Sequence, residues 1–174
     1  MIRDLADQPD NVVKTAAEYE GKENVIIENI TNCVIVLPFS IKCLYVKNIK
    51  QTRIYVGSIS GASFVNEATD CIIALQSHQI RIHNSQRVEF YLTARSSPII
   101  EHCSEMKFGP YIDPTSGEPA LAFSGWQESA QQVGLALEPA ANLFGKVLDF
   151  DWHRQDHSPN WQALETSTPH KLAL

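Results

Sequence analysis

The chain has 174 residues, 44% of them hydrophobic, and a formal net charge of −6. This length and composition fit one globular domain with a substantial core and exclude an intrinsically disordered chain. Residues 22–110 carry nine basic and seven acidic side chains, whereas the remaining residues carry five and thirteen. A mildly basic middle between acidic ends favours an acidic protein partner over a nucleic acid.

Residues 1–21 are interpreted as an N-terminal extension. They begin with MIRDLADQPDN, which has an early acid and no apolar run, so no signal peptide is predicted. Ile2 occupies the position where N-myristoylation requires glycine, and the longest uncharged runs, such as 29–41, are too short to cross a bilayer. The four cysteines form no CxxC pair, which favours free thiols. We therefore expect a cytoplasmic protein without a membrane segment.

An internal repeat runs through residues 22–110. Five segments share one register, and their first residues are spaced 19, 19, 17 and 18 apart. The segments are IENITNCVIVL from Ile27, VKNIKQTRIYV from Val46, VNEATDCIIAL from Val65, IHNSQRVEFYL from Ile82 and IEHCSEMKFGP from Ile100. Repeats of this length are typical of solenoids, in which each coil buries its apolar residues against the next coil.

Apolar or small residues recur at fixed positions of this repeat. Three positions after the first residue of each segment, the residues are Ile30, Ile49, Ala68, Ser85 and Cys103. Six positions after it, at the sixth position, they are Cys33, Thr52, Cys71, Val88 and Met106. The eighth position holds Ile35, Ile54, Ile73, Phe90 and Phe108. The tenth position holds Leu37, Val56, Leu75 and Leu92, and Pro110 ends the pattern in the last segment. Ladders of like residues predict an all-β chain, a right-handed parallel β-helix of about five coils. An antiparallel sandwich of short strands is the alternative.

Two positions after its first residue, three of the five segments carry asparagine: Asn29, Asn48 and Asn84. The other two segments carry Glu67 and His102 at this position. Asparagine tolerates left-handed backbone, and its side chain bonds to nearby backbone groups. We therefore predict that each coil turns a corner at this position.

Residues 111–174 are interpreted as a C-terminal extension that packs on the β-helix. GPYIDPTSGEP is rich in turn-forming residues, and 120–137 then shows the apolar spacing of an amphipathic helix. The stretches VLDFDW and SPNWQAL follow. Apolar aromatic residues in a charged tail favour packing back onto the body, where they would cover an open end of the β-helix.

Arg81, within SHQIRIH, lies one residue before the first residue of its segment. The other coils carry Ile26, Tyr45, Phe64 and Ile99 at this position. Because alternate side chains of a strand point to opposite faces, this row is predicted to face outward together with Gln79. An outward apolar row with a central arginine is typical of a binding surface. These residues alone leave open whether Arg81 binds a partner or is an ordinary solvating charge.

Several stretches resemble the tubulin-binding cofactor C family over nearly the whole chain. They are LQSHQIRIHNSQRVEFYLTARSSPIIEHCSEMKFGPY, the preceding GSISGASFVNEATDC, and DFDW and SPNW near the end. The resemblance is to the C-terminal domain that this family shares with cyclase-associated protein and the retinitis pigmentosa 2 protein, and the helical N-terminal domain has no counterpart. It implies a β-helix, in agreement with the ladders.

The resemblance also implies GTPase activation. With cofactors D and E, this family triggers GTP hydrolysis by β-tubulin and releases the αβ-tubulin heterodimer. The partner binds the GTP, so no cofactor is expected in this chain. The family's catalytic arginine falls on Arg81, and its glutamine three residues earlier falls on His78, while Gln79 matches the next position. Glu101 falls on an acid that the retinitis pigmentosa 2 protein uses at or near its GTPase interface.

Two sets of site residues follow from the row and the resemblance. The predicted catalytic residues are Arg81, Gln79 and His78. The predicted partner-binding residues are Glu101, His83, Phe64 and Tyr45. We expect a monomer associated with the cytoskeleton. Two other functions stay open, namely activation of an Arf-like small GTPase and a non-catalytic cytoskeletal binding module.

Other candidate sites are set aside. His153 and His157 in DFDWHRQDH have the spacing of metal ligands on a helix, but no third ligand or clear helix accompanies them, so no metal site is predicted. Cys33 and Cys71 occupy an inward ladder position and are interpreted as small hydrophobic residues. A basic cluster is either a docking patch or a solvated face, and it comprises Lys42, Lys47, Lys50 and Arg53.

Overall fold

The computed structural model describes residues 1–8, 24–111, 126–135 and 138–164. Within these ranges the chain forms nine strands and one α-helix. The strands are β1 (Ile2–Gln8), β2 (Asn24–Ile41), β3 (Cys43–Lys50), β4 (Arg53–His83), β5 (Gln86–Ala94), β6 (Ile99–Glu101), β7 (Met106–Pro110), β8 (Leu148–Asp149) and β9 (Trp161–Ala163). The helix α1 spans Trp126–Gln132, and a 3-10 turn spans Pro139–Ala141.

The strands stack in parallel, each coil on the next. β1 pairs with β2, β2 with β3 and β4, β3 with β4, and β4 with β5 and β6, all in parallel orientation. The partners across these pairings are the ones that the repeat predicts, for example Ile27 with Val46 and Val46 with Val65. The predicted parallel β-helix of about five coils is confirmed, and the antiparallel sandwich is excluded.

The ladders of the repeat form the core. All members of the sixth and eighth positions are buried, from Cys33 and Ile35 in the first copy to Met106 and Phe108 in the last. The rings of Phe90 and Phe108 stack with centroids 5.5 Å apart. Each fully buried aliphatic or aromatic side chain contributes roughly 1.5–3 kcal/mol relative to exposure, so the aligned ladders hold neighbouring coils together.

Each coil turns through residues in left-handed backbone. Among the described residues, six pairs have φ between 50° and 58°, and the members of each pair are three positions apart. The pairs are Asp4 and Asp7, Asn29 and Asn32, Asn48 and Gln51, Glu67 and Asp70, Asn84 and Arg87, and His102 and Glu105. The first member of the five later pairs is the predicted corner position, and that prediction is confirmed. The second member was not predicted, because Gln51, Arg87 and Glu105 are not typical left-handed residues.

The ladder also extends to the beginning of the chain. β1 pairs with β2 through Ile2 and Ile27, and Ile2 is buried. Asn29 donates from Nδ2 to Oδ1 of Asp4 at 3.0 Å, which joins the corner of this strand to the next corner. The five-copy repeat began at residue 22 and did not include this strand, which is short and carries two aspartates.

The C-terminal part packs back on the body. β8 pairs with β6, and β9 pairs with β7, so both add to the last coil. Trp161 meets Phe108 edge to face, with ring centroids 6.1 Å apart. The described helix α1 is shorter than the amphipathic stretch 120–137, of which 120–125 and 136–137 lie outside the described residues. In the parts of the chain that the structure describes, no helix has the length and apolar content needed to span a membrane.

Candidate functional site

One outward row of side chains crosses the strands of a single face. Tyr45 pairs with Ile26 and Phe64, and Arg81 pairs with Ile99, which in turn pairs with Leu148. Ser63 donates from Oγ to the Gln79 carbonyl at 3.2 Å, which places the Phe64 and Arg81 segments side by side. The outer row is therefore Ile26, Tyr45, Phe64, Arg81, Ile99 and Leu148.

Large apolar side chains are exposed along this outer row. The exposed fractions are 43% for Tyr45, 36% for Phe64 and 50% for Leu148. The Tyr45 and Phe64 rings stack in parallel with centroids 5.1 Å apart. Phe150, also 50% exposed, follows β8 directly, and its amide donates to the Ile100 carbonyl at 3.0 Å. A patch of this kind on a folded domain indicates an interaction surface.

Arg81 is exposed in the middle of the outer row. Among the described residues, no hydrogen bond, ion pair or ring contact engages its guanidinium. Arg87 provides the contrast, because it binds both carboxylate oxygens of Asp70, at 2.6 and 3.1 Å. The Arg81 guanidinium thus has donors that a partner's anion would satisfy.

The backbone beneath Arg81 is held firmly. The flanking residues Ile80 and Ile82 are buried in the core. The Gln79 carbonyl accepts from the hydroxyls of Ser77, at 2.9 Å, and Ser63. Gln79 itself is exposed and lies on the same face as Arg81, as predicted from the alternation. The strand therefore presents both side chains on a rigid support.

His78 lies three residues before Arg81 on β4 and contacts the end of α1. Its Nε2 is 2.9 Å from the carbonyl oxygen of Val133, just after the helix. A carbonyl only accepts, so Nε2 carries the proton and donates. His78 is half-buried. The structure thus brings Gln79 and Arg81 together on the outer face and directs the His78 ring toward the helix.

A polar row runs beside the outer row. Glu101 lies opposite His83, and its Oε2 is 3.7 Å from the Nε2 of His83. Both side chains are partly exposed on the face that carries Arg81. Lys47 and Asn66 continue this row on the earlier coils. All four predicted partner-binding residues, Glu101, His83, Phe64 and Tyr45, therefore lie on one face.

The inward cysteines are not equipped for covalent catalysis. Burial raises the pKa of the Cys71 thiol from an ordinary value of 9.0 to about 11, and burial also raises that of Cys103. A thiol whose pKa is raised holds little of the reactive thiolate near neutral pH. Cys33 is buried on the same ladder as Cys71, in agreement with its interpretation as a small hydrophobic residue.

Residues 149–157 serve structural contacts. They are not helical, so His153 and His157 lack the helical spacing of metal ligands. Burial opposes ionisation of the Asp149 carboxyl, but hydrogen bonds from Ser158 and Asn160 hold its pKa below the ordinary value. The described residues contain no group of three or more side chains suited to hold a metal ion.

Sequence reasoning missed the contribution of the tail to this face. Leu148 and Phe150 extend the exposed apolar surface beyond the last coil, because β8 pairs in register with β6. Their signal in the sequence was the alternation of apolar and polar residues in VLDFDW, of which Leu148 and Asp149 form β8. The repeat could not show it, since β8 is not one of its copies.

A family model described as Tubulin binding cofactor C matches residues 22–144 of the chain. Tubulin-folding cofactor C of Arabidopsis thaliana is 33% identical over 138 residues, which are 79% of this chain and 37% of that protein. Tubulin-specific chaperone C of Homo sapiens is 28% identical over 152 residues, which are 87% of this chain and 41% of that protein.

A solved structure of tubulin binding cofactor C from Leishmania major superposes with a TM-score of 0.63 and 28% sequence identity, covering 74% of this chain and 81% of that chain. By contrast, the chain spans only about two fifths of the length of the curated relatives, 37% and 41% in the two cases above.

Proposed function

The chain belongs to the tubulin binding cofactor C family, and on that premise we propose that it acts in tubulin folding as a GTPase-activating protein. In this proposal it works with cofactors D and E, supplies Arg81 to the GTP site of β-tubulin, and promotes release of the αβ-tubulin heterodimer. The observation that carries the proposal is Arg81 itself, an exposed arginine without a described partner, central in an apolar row. The names of the relatives, tubulin-folding cofactor C and tubulin-specific chaperone C, favour tubulin as the partner.

The chemistry of GTP hydrolysis suits an arginine offered by a second protein. The transition state spreads negative charge over the γ-phosphoryl oxygens and the bridging oxygen. A guanidinium has a permanent charge and several donors in a fixed plane, so it can bind two of these oxygens together. Arginines supplied in this way raise GTPase rates by roughly 10³–10⁵-fold. In our proposal the Gln79 amide, on the same face, helps to orient the guanidinium or the attacking water.

The apolar residues around Arg81 have a role in this mechanism. Docking of the partner on Tyr45, Phe64 and Leu148 removes water from around the guanidinium. A charge interaction becomes stronger as the surrounding dielectric constant falls. The energy of burying these side chains also offsets the desolvation of Arg81. The row thus both binds the partner and prepares the site for charge stabilisation.

The test is phosphate release from GTP-loaded tubulin with cofactors D and E, with this chain added as wild type, Arg81→Ala, Arg81→Lys or Arg87→Ala. We expect Arg81→Ala to reduce the stimulated rate by about 10³-fold or to background. Arg81→Lys retains the positive charge but lacks the planar guanidinium, so its stimulated rate should be little higher than that of Arg81→Ala. Arg87→Ala removes an equal charge whose guanidinium already binds Asp70, and it should behave as wild type.

Binding of each variant to the tubulin complex is measured in parallel. A folded Arg81→Ala that binds and does not stimulate supports the proposal. Equal stimulation by wild type and Arg81→Ala would refute the role of Arg81. Binding without any stimulation by the wild type would instead indicate a non-catalytic binding module, and stimulation of an Arf-like GTPase alone would indicate the small-GTPase function.

A further inference from the structure

We propose that His78 is a positioning residue, which together with Arg95 clamps the C-terminal end of α1 against the start of the strand segment that carries Arg81. This inference rests on the proposed function, because it assigns to His78 a role in presenting the arginine. It also explains how a histidine can occupy the position at which the family resemblance places a glutamine.

The end of α1 is shaped to offer two carbonyl groups. Gly134 has a φ of +69°, and the Leu135 amide donates to the Ala130 carbonyl at 2.8 Å. This is the Schellman ending, in which a glycine in left-handed backbone stops the helix and an apolar residue after it packs inward. Leu135 is buried accordingly. The carbonyls of Val133 and Gly134 point away from the helix and need donors.

The β-helix supplies both donors. His78 Nε2 lies 2.9 Å from the Val133 oxygen, and Arg95 Nη1 lies 2.8 Å from the Gly134 oxygen. The two donors come from successive coils, and Ser96 Oγ donates to the His78 carbonyl at 2.7 Å. Both contacts therefore meet at one point of the surface, where the helix end crosses from one coil to the next.

Other contacts between α1 and the β-helix include hydrogen bonds and a close approach of backbone and side chain. Ser58 and Ser129 hydroxyls are 3.0 Å apart in a buried position, and Ser40 Oγ donates to the Ser129 carbonyl at 3.3 Å. A Cβ added at Gly57 would lie 2.8 Å from the Ser129 hydroxyl and 2.9 Å from a backbone oxygen. Hydrogen bonds and close approach thus contribute to holding the helix, so losing one donor should loosen it measurably.

The clamp is close enough to Arg81 to influence it. The His78 backbone is fixed by Ser96, the Gln79 carbonyl is fixed by Ser77 and Ser63, and Arg81 follows two residues later. An arginine that must meet a transition state loses efficiency when its support shifts by about 1 Å. Since the His78 ring already donates to Val133, it would have to leave the helix to reach a nucleotide.

Four variants test this inference. His78→Leu removes the donor at similar volume, whereas His78→Gln places an Nε2 donor at a similar reach. Gly57→Ala disturbs the helix from a buried position next to the Ser129 hydroxyl and the Phe39 backbone, and Arg95→Leu replaces it if Gly57→Ala does not fold. Each variant is examined by hydrogen exchange of residues 78–82 and α1 in the isolated chain, and by the kcat and KM of stimulated phosphate release.

We expect His78→Leu and Gly57→Ala to accelerate exchange in α1 and in residues 78–82 and to lower kcat by about tenfold, in line with loss of one hydrogen bond. The KM of these two variants should change less than twofold, because the outer row is intact. His78→Gln should resemble the wild type in both hydrogen exchange and kinetics. Unchanged exchange in His78→Leu overturns the clamp even if the chain activates no GTPase. A loss of kcat in His78→Leu but not in Gly57→Ala or Arg95→Leu would instead place His78 among the reacting groups.

Discussion

Cys71 lies in the core beside Val88, where water does not solvate its thiolate. Burial raises its pKa from an ordinary value of 9.0 to about 11, so the folded chain holds the thiol proton more tightly than the unfolded chain does. The corresponding stabilisation is complete below pH 9 and is lost as the pH rises from there toward 11. At the scale of single residues, this thiol therefore links stability to alkaline pH.

Between pH 8 and pH 10.5 the wild type should lose about 2 kcal/mol through Cys71, since one pKa unit corresponds to about 1.4 kcal/mol. Cys71→Ala should be less stable than the wild type at pH 8, because it loses packing, but its stability should decline less steeply with pH. Urea unfolding at both pH values measures the difference. Parallel declines in the two proteins would show that Cys71 does not titrate in this range.

The corner residues differ in how readily they adopt left-handed backbone. Asn29 and Asn48 are suited to left-handed backbone, and the Asn48 amide donates to Asn29 at 2.8 Å, which offsets part of the conformational cost. Glu67 adopts the same backbone with a φ of 58°. Left-handed backbone costs an ordinary residue roughly 1–2 kcal/mol, so stacking of the coils imposes the corner at Glu67.

At the scale of elements, the outer row shows how strands build a surface that no single segment contains. Tyr45 lies on β3, Phe64 and Arg81 lie on β4, and Leu148 lies on β8. Parallel stacking brings them into one line at the spacing of neighbouring strands, about 4.8 Å. The stacked Tyr45 and Phe64 rings are held in place before any partner arrives, so docking costs little side-chain entropy there.

Phe64→Ser should weaken docking without changing the arginine. A central aromatic residue of an interface contributes about 2 kcal/mol or more, so KM for the tubulin complex should rise at least about tenfold while kcat falls little. The control is Ile72→Ser, because Ile72 is half-buried on another face of the β-helix, where it lies opposite Glu89. A KM that responds equally to both substitutions, or to neither, would argue against the outer row as the docking surface.

At the scale of the whole molecule, the β-helix needs a cover at its last coil. Phe108 and Met106 are fully buried there, and β9 pairs with the strand that carries them. Trp161 packs edge to face on Phe108. The His157 ring also contacts Trp161, with ring centroids 4.4 Å apart. Without such a cover, the end of a solenoid exposes apolar residues and free backbone groups that favour association.

Trp161→Ala should therefore lower the free energy of unfolding by about 2–3 kcal/mol, somewhat less than for a fully buried aromatic residue, and promote self-association. Trp152→Ala is the matched control, since Trp152 contacts Arg154 and the Asp156 backbone in the loop before β9. Urea unfolding and sedimentation velocity measure the two effects. Equal stability and mass for the two variants would show that Trp161 is not needed to cover the coil.

The repeat alone was enough to predict the coils, their register and the outward direction of Arg81 and Gln79. These features depend on local rules, because side chains alternate along a strand and like residues stack when the spacing of copies is constant. The corner asparagines followed from the same reasoning. The assignment of Arg81 to GTPase activation came from family resemblance and stays a proposal.

Other features depended on contacts between residues distant in the chain. Ile2–Gln8 became part of the ladder only by pairing with β2, and Leu148 joined the outer row only by pairing of β8 with β6. His78 donates to a carbonyl 55 positions away in the chain. Neither periodicity nor propensity contains this information, since each contact depends on where the chain returns after a long connection. Local pattern thus determined which way each side chain faces, and tertiary packing decided which partner it meets.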